Sequence, residues 1–262
     1  MRKSLLTTIC VLLLLAPAGG AFAEMTNTGV DRTHVSGGNV LTDPLLPVVG
    51  RILYAPSEAD DPALRAAISV AAGGAVVDYF DATAGVPTVS LLSTYDCVYT
   101  WANFGYLDNV AFGDNLAAYV DGGGSVVLGA FCTFTLGNFL SGAIMGAGYS
   151  PVYSPSGSNW FSSAAYSGDG TTCIHNDVGT YECFYRDDLA LQGTGAVDGT
   201  YTDGVIAHAY RSDYKVIYSN GSGAVQLGCS GDWALLVANA CACEGATSTS
   251  SSSWGTVKTM FR

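Results

Sequence analysis

The chain has 262 residues, of which 49% are hydrophobic and only 12% charged, and its 22 acidic residues against ten basic ones give a formal net charge of −12. That balance argues against nucleic acid as a partner, because an acidic surface is repelled by phosphates. Past the first residues no stretch is long and apolar enough to be expected to span a bilayer.

Residues 1–23 combine a basic start (Arg2, Lys3), an apolar run through Val11 to Leu15 and the small-residue end Ala21-Phe22-Ala23. This pattern predicts a secretory signal peptide, with the mature chain beginning near Glu24 and located outside the cell, in a periplasm or on the cell surface. Cys10 falls inside the apolar run and not after a lipoprotein-type cleavage site. Residues 24–50, with Gly37, Gly38, Pro44 and Pro47, show no periodicity and are expected to be an extended lead-in.

The main domain is expected to cover residues 51–243. Residues 51–55 predict a first strand. Pro62 opens a helix whose Leu64, Ile68 and Ala71 share a face, and Gly73-Gly74 ends it. Residues 75–80 predict a second strand, and residues 86–93 a short helix or turn. Residues 97–102 are a β-rich run. Asp108 can cap a helix in which Phe112, Leu116, Tyr119 and Val120 recur at the 3.6-residue period, and Gly122 to Gly124 stop it. Residues 125–131 then form a nearly continuous apolar run, as in a strand covered on both faces. This alternation predicts α/β: a flavodoxin-like, doubly wound, mostly parallel sheet with right-handed crossovers.

From Thr135 the rhythm breaks, and residues 135–203 read as a long loop-rich insertion. Residues 204–210 are strand-like. A β-hairpin is expected over residues 215–219 and 224–228, because Asn220-Gly221 between two β-rich runs is a strong hairpin signal; Asn220-Gly221-Ser222 also matches a glycosylation sequon. Asp232 can cap a final helix over residues 233–243, apolar nearly all round and so expected to be buried. Residues 244–253 are a Ser-rich linker. The tail, residues 254–262, carries Trp254 and Phe261 beside Lys258 and Arg262. It is either an address read by export or anchoring machinery or a terminus that docks its aromatics on the domain.

Beyond Cys10 the cysteines are Cys97, Cys132, Cys173, Cys183, Cys229, Cys241 and Cys243. In an oxidising compartment most should pair, and the odd number leaves one over. Cys173 and Cys183 would close a short loop inside the insertion, worth about 2–4 kcal/mol in the loop-entropy account. A zinc site is the rival reading of Cys241 and Cys243, but there is no matching second pair, and no metal site is assigned.

With both ends of the sheet placed, several residues carry a likeness to a known family. Tyr95-Asp96 precedes a strand, a helix follows, and then come Gly122-Gly123-Gly124, Val126-Val127-Leu128-Gly129 and Cys132. Further on stand Gln226-Leu227-Gly228-Cys229-Ser230 and Leu235-Leu236-Val237-Ala238-Asn239. The chain resembles the class I glutamine amidotransferase-like superfamily, in its exported, trehalose-utilisation-type branch, over about residues 51–243. The resemblance places Cys132 near the family's nucleophile turn, displaced by one residue and without the following glycine. It places Gly228 at the family's histidine and Ser230 at its glutamate. The groups that would activate a thiol are therefore absent, and glutamine hydrolysis is not expected. The resemblance also puts Cys132 and Cys229 at the carboxyl edge of the sheet, where they would form a disulfide. Cys97 would lie at the opposite edge, roughly 17 Å away at ~3.3 Å per residue, beyond disulfide reach of Cys132.

Three sets of residues could still carry chemistry. Cys132 with His175, the latter oriented by Glu182 or Asp177, is one catalytic candidate, with His208 read as structural. Asp81 and Asp108 could act as paired carboxylates on a glycosidic bond. Asp169, Asp177, Asp187, Asp188, Asp198 and Asp203 lie in oxygen-rich loops that could take calcium but match no loop motif; no other cofactor is suggested. Trp101, Phe104, Tyr106 and Trp160, with Tyr149, Tyr153 and Phe161, could stack on an extracellular glycan or protein ligand, or form a small core under the loops. The sequence thus points to an exported, non-catalytic binding or structural module. The alternative is a secreted hydrolase, carbohydrate-directed, using Cys132 or carboxylates at the same edge.

Overall fold

The computed structural model describes residues 49–243. The signal-peptide, linker and tail readings, and nearly all of the lead-in, lie outside the described residues. The strands are β1 (Arg51–Tyr54), β2 (Val76–Tyr79), β3 (Cys97–Thr100), β4 (Ser125–Gly129), β5 (Val152–Tyr153), β6 (Asn159–Ala165), β7 (Tyr181–Asp187), β8 (Ala190–Leu191), β9 (Gly195–Val197), β10 (His208–Arg211), β11 (Val216–Ser219) and β12 (Cys229–Gly231). The α-helices are α1 (Pro62–Ala71), α2 (Val89–Leu92), α3 (Asn109–Asp121) and α4 (Trp233–Ala242).

The central sheet has seven strands in the order β2-β1-β3-β4-β11-β10-β9. Its first five are parallel throughout, and β10 and β9 extend it antiparallel. The order reverses between β1 and β3, so right-handed crossovers put α1 and α3 on opposite faces, and α4 returns to pack on α1. Covered on both sides, β3, β4 and β11 are buried at every position. Their tyrosines and tryptophans bring polar ends into the core, and these find partners: Tyr99 donates to the Ser222 carbonyl at 2.7 Å, and Trp101 Nε1 donates to the Tyr54 hydroxyl at 3.2 Å.

The helix ends follow the sequence closely. Asp61 accepts from the Leu64 amide, and Asp108 accepts from the amides of Val110 and Ala111, so both act as N-caps. Asp232 stands at the N-cap position of α4, but its carboxylate accepts instead from the amides of Gly179 and Thr180, at 2.8 and 2.9 Å. It ties the insertion to the helix.

The expected hairpin at Asn220-Gly221 does not form. Residues Val225–Leu227 make a 3-10 turn, and the C-terminal hairpin is β10–β11, one strand earlier, with Tyr214 at φ 60 in its turn. The reason is tertiary. Asn220 is fully buried, its amide committed to the end of β7, and a Cβ on Gly221 would lie 2.3 Å from the Trp233 ring. The pair is chosen for close packing, and a buried Asn220 also leaves no room for a glycan.

The insertion is built rather than loose. Strands β12, β7 and β6 form a three-stranded antiparallel sheet, β5 pairs with β8, and β9 closes the edge of the central sheet. The expected Cys173–Cys183 and Cys132–Cys229 bonds are both replaced. Cys183 lies directly across from Cys229 in the β7–β12 register, with Cα atoms 4.0 Å apart, and is bonded to it. Cys173 is bonded to Cys243 just after α4, and Cys97 at the start of β3 to Cys241. Strand register and helix docking decided these pairs, which spacing along the chain does not report. Cys132 is the cysteine left over among the described residues.

Gly113 in α3 tests the docking of the insertion. A Cβ there would sit 1.7 Å from the Ser141 carbonyl oxygen. In a free helix Gly→Ala gains about 1 kcal/mol; here Gly113→Ala should reverse that sign and lose about 1–3 kcal/mol through overpacking. A lower urea midpoint at unchanged slope is the expected reading.

Candidate functional site

In open α/β sheets ligands bind beyond the carboxyl ends of the strands. Here that edge is formed by the segments after β1, β3, β4 and β11, and each is tied down. The Ser57 amide donates to the Trp101 carbonyl at 2.9 Å and Ser57 Oγ to the Phe104 carbonyl at 2.6 Å. The reversal between β1 and β3 is thereby bridged by main chain.

After β4 the chain turns tightly, with the Cys132 amide donating to the Gly129 carbonyl at 3.0 Å, and it enters the insertion without starting an α-helix. No helix N-terminus is therefore available to lower the thiol's pKa. Cys132 is fully buried; its Sγ lies 3.5 Å from the Tyr106 hydroxyl and 3.8 Å from the Thr100 carbonyl. Burial pushes the thiol up to about 12, against the Tyr106 hydrogen bond and with a smaller push from Asp187. It is a neutral thiol at any physiological pH.

At Gly228, where the resemblance would place a histidine, φ is 69, and a Cβ would lie 2.7 Å from Phe184 Cβ. A histidine cannot stand in that left-handed, packed position without strain. Ser230, at the glutamate position, is exposed and donates to Glu182 at 3.3 Å. This stretch serves to pair β12 with the insertion.

His175 does not meet Cys132. Its Nδ1 lies 2.7 Å from Asp198 Oδ2 and its Nε2 lies 3.0 Å from the Tyr181 hydroxyl, which in turn lies 3.0 Å from His208 Nδ1. Tyr166 stacks on the His175 ring with centroids 4.7 Å apart. Glu182 and Asp177, the expected orienters, are replaced by Asp198, which the sequence showed only as a turn residue. Burial raises the pKa of Asp198, but hydrogen bonds from His175, Thr172 and Thr171 outweigh it and hold the carboxyl well below its ordinary range. His208 is driven well below 6.5, first by burial and then by the nearby His175. Its Nε2 has no partner. This Asp–His–Tyr–His chain is closed to solvent and joins β9, β10, β7 and the turn at Cys173–His175, so it holds the insertion on the sheet.

The carboxylates are likewise committed. Asp81 accepts from the Thr83 amide and hydroxyl, and Asp108 caps α3. Asp187 is buried, receives hydrogen bonds from Thr133 and Tyr218, and is raised by burial to about 6. Asp169 accepts from Ser167 and Thr200, Asp188 from Ser156 and Asp203 from Arg186. Among the described residues no group of three or more His, Cys, Asp or Glu could hold a metal ion. Of the aromatic candidates, Trp101 and Tyr106 are core residues, whereas Phe104 and Trp160 are exposed, at 55% and 47%, along with Phe161 and Tyr153. Phe161 stacks edge-on against Tyr185, and Tyr185 against Phe131 next to Cys132.

A pocket of about 190 Å³ opens over the turn after β4. Its lining comes from the turn itself and from the first part of the insertion, including Tyr153 and Ser154. Sequence reading passed over Ser154 and Tyr181 and offered Asp187 and Asp198 only as loop ligands for calcium, because each acts through partners brought from other elements.

Two outcomes follow from this chemistry. Iodoacetamide should leave Cys132 unmodified in the native protein and alkylate it once denatured, with the three bridges appearing intact in a non-reduced peptide map. Because His208 has a folded-state pKa below its unfolded value, the unfolded chain takes up that proton first. Stability from this group is full above about 6.5 and is lost as pH falls below it. Replacing His208→Asn should therefore flatten the decline of unfolding free energy between pH 6.5 and 5, by up to about 1.36 kcal/mol per pH unit, in parallel denaturant titrations.

No protein-family model matches the chain, and no curated protein matches it. Among solved structures it is similar to the cytoplasmic protein STM3548 from Salmonella typhimurium, with a TM-score of 0.51 and 14% identity over 72% of this chain and 97% of that one. The described residues hold three disulfides, which are typical of extracellular proteins, and no helix long and apolar enough to cross a membrane. At this identity the likeness shows the fold alone: a mixed α/β architecture around a large, mostly parallel sheet.

Proposed function

We propose that this chain is an exported, non-catalytic binding or structural module on an amidotransferase-like fold, recognising an extracellular glycan or protein ligand through loops at the carboxyl edge of its sheet. The observation that carries the reading is Cys132, the only thiol near the family's nucleophile position, which is fully buried and pushed up to about 12. A sulfur held protonated, with a tyrosine and a carbonyl as its neighbours and no base in reach, cannot attack a substrate. The stretch that would supply the base is occupied by the β12–β7 pairing and its disulfide.

Export is supported by the leader-like first 23 residues and by the disulfides, which persist in oxidising compartments. The binding role is supported by Phe104, Trp160 and Phe161, large apolar side chains left in solvent on or next to that edge.

The test has a catalytic and a binding arm. Glutamine, aryl glycosides and aryl esters should show no turnover above buffer. Turnover that disappears in Cys132→Ala would overturn the reading in favour of a hydrolase. On an array of extracellular glycans and matrix proteins, retention should fall at least several-fold in Trp160→Ala or Phe104→Ala, and equal retention by both variants counts against these aromatics as the contact surface.

A further inference from the structure

The pocket after β4 has a composition that selects its occupant. Cys132 contributes its floor, and its walls combine the hydroxyl residues Thr135, Ser141 and Ser154 with the apolar surfaces of Phe139, Met145 and Tyr153. No charged side chain lines it, although the chain as a whole carries a net −12. A charged ligand would find no counter-ion there, whereas a neutral ligand with both apolar and hydroxyl faces would be matched.

Ser154 supplies a second, independent observation. Its Oγ is buried without any hydrogen-bond partner. A polar group left so forfeits the hydrogen bond it had with water unless something pairs with it. A ligand hydroxyl would satisfy it once rotation about the Ser154 Cα–Cβ bond turns the Oγ toward the pocket.

The walls are also held in place before any ligand arrives. Gln192 Nε2 donates to the carbonyls of both Met145 and Val152, at 3.0 and 2.7 Å, pinning opposite stretches of the lining together. Ser150 Oγ donates to the Val152 carbonyl at 2.7 Å, and the Leu140 amide to the Cys132 carbonyl at 3.0 Å. A rim fixed in this way loses little entropy on binding. The size sets the upper limit: about 190 Å³ is below the ~300–1,000 Å³ usual for drug-sized ligands, so the pocket takes one ring rather than an oligomer within it. Tyr153, 46% exposed at the mouth, offers an aromatic face.

From this geometry we propose that the pocket over Cys132 is a subsite for a single neutral sugar ring, its C–H face against Tyr153 and Phe139 and a hydroxyl paired with Ser154 Oγ. The inference rests on the binding-module reading and names its ligand class and its place. The occupant is the terminal or exposed residue of a neutral glycan. The remainder of that glycan would extend over the edge loops.

The test is saturation-transfer NMR and calorimetry on the full secreted chain with glucose, galactose, mannose and N-acetylglucosamine, with glucuronate as the charged control. At least one neutral sugar should bind and glucuronate should not. Ser154→Ala should weaken binding by up to about tenfold, the size of a lost hydrogen bond, and Tyr153→Ala, a change at an exposed side chain, should weaken it at least as much; unchanged near-UV spectra and melting curves verify that both variants fold. If neither variant alters the affinity, or if glucuronate binds as well as the neutral sugars, the subsite is overturned. Absence of all sugar binding also overturns it, and the binding-module reading then stands or falls separately on the turnover assay and on array retention in Trp160→Ala.

Discussion

One buried side-chain amide, that of Asn220, joins the two halves of the molecule. Its Oδ1 accepts from the Asp187 amide at 2.6 Å, while its Nδ2 donates to the carbonyls of Asp187 and Ile206 at 3.0 and 2.8 Å. Its own carbonyl accepts from the Tyr201 hydroxyl at 2.6 Å. A side chain thus takes the role of a strand partner, linking the end of β11 to the end of β7 and to the segment before β10. In a site without water each of these groups would otherwise be an unpaired polar atom, so the network rewards only one arrangement of the insertion on the sheet.

That arrangement explains the state of Cys132. Because the insertion is locked against the carboxyl edge, Asp187 is carried in beside Thr133 and Tyr218, and the turn after β4 is roofed over. The same closure that desolvates Cys132 raises its pKa, and the same register that positions β7 sends Cys229 to Cys183. The burial of Cys132 and the small pocket beside it are two results of one packing event.

The bridges reinforce it at the other end of the molecule. Helix α4 is bonded to β3 through Cys241, the residue just past it is bonded to the insertion through Cys243, and Asn239 donates to the carbonyls of Ile174 and Asn176. The insertion is rich in glycine, and most of its apolar side chains are not fully buried. Covalent ties and buried hydrogen bonds supply the order that a hydrophobic core would supply in a larger domain.

What the sequence by itself determined was the local grammar: β1 to β4, helix α1 opened by Pro62, helix α3 with its Asp108 cap, the buried α4, and the α/β class that follows from their alternation. These are legible because periodicity, capping and glycine stops act within a few residues. Only the tertiary structure decided the cysteine pairs, the partner of His175, the fate of Asn220-Gly221 and the burial of Trp101, Tyr106 and Cys132. Each depends on contacts between segments far apart in the chain, as Cys97 with Cys241 shows at a separation of 144 residues. A hairpin dipeptide or a cysteine spacing expresses a local preference, and a buried network of satisfied polar groups overrides it.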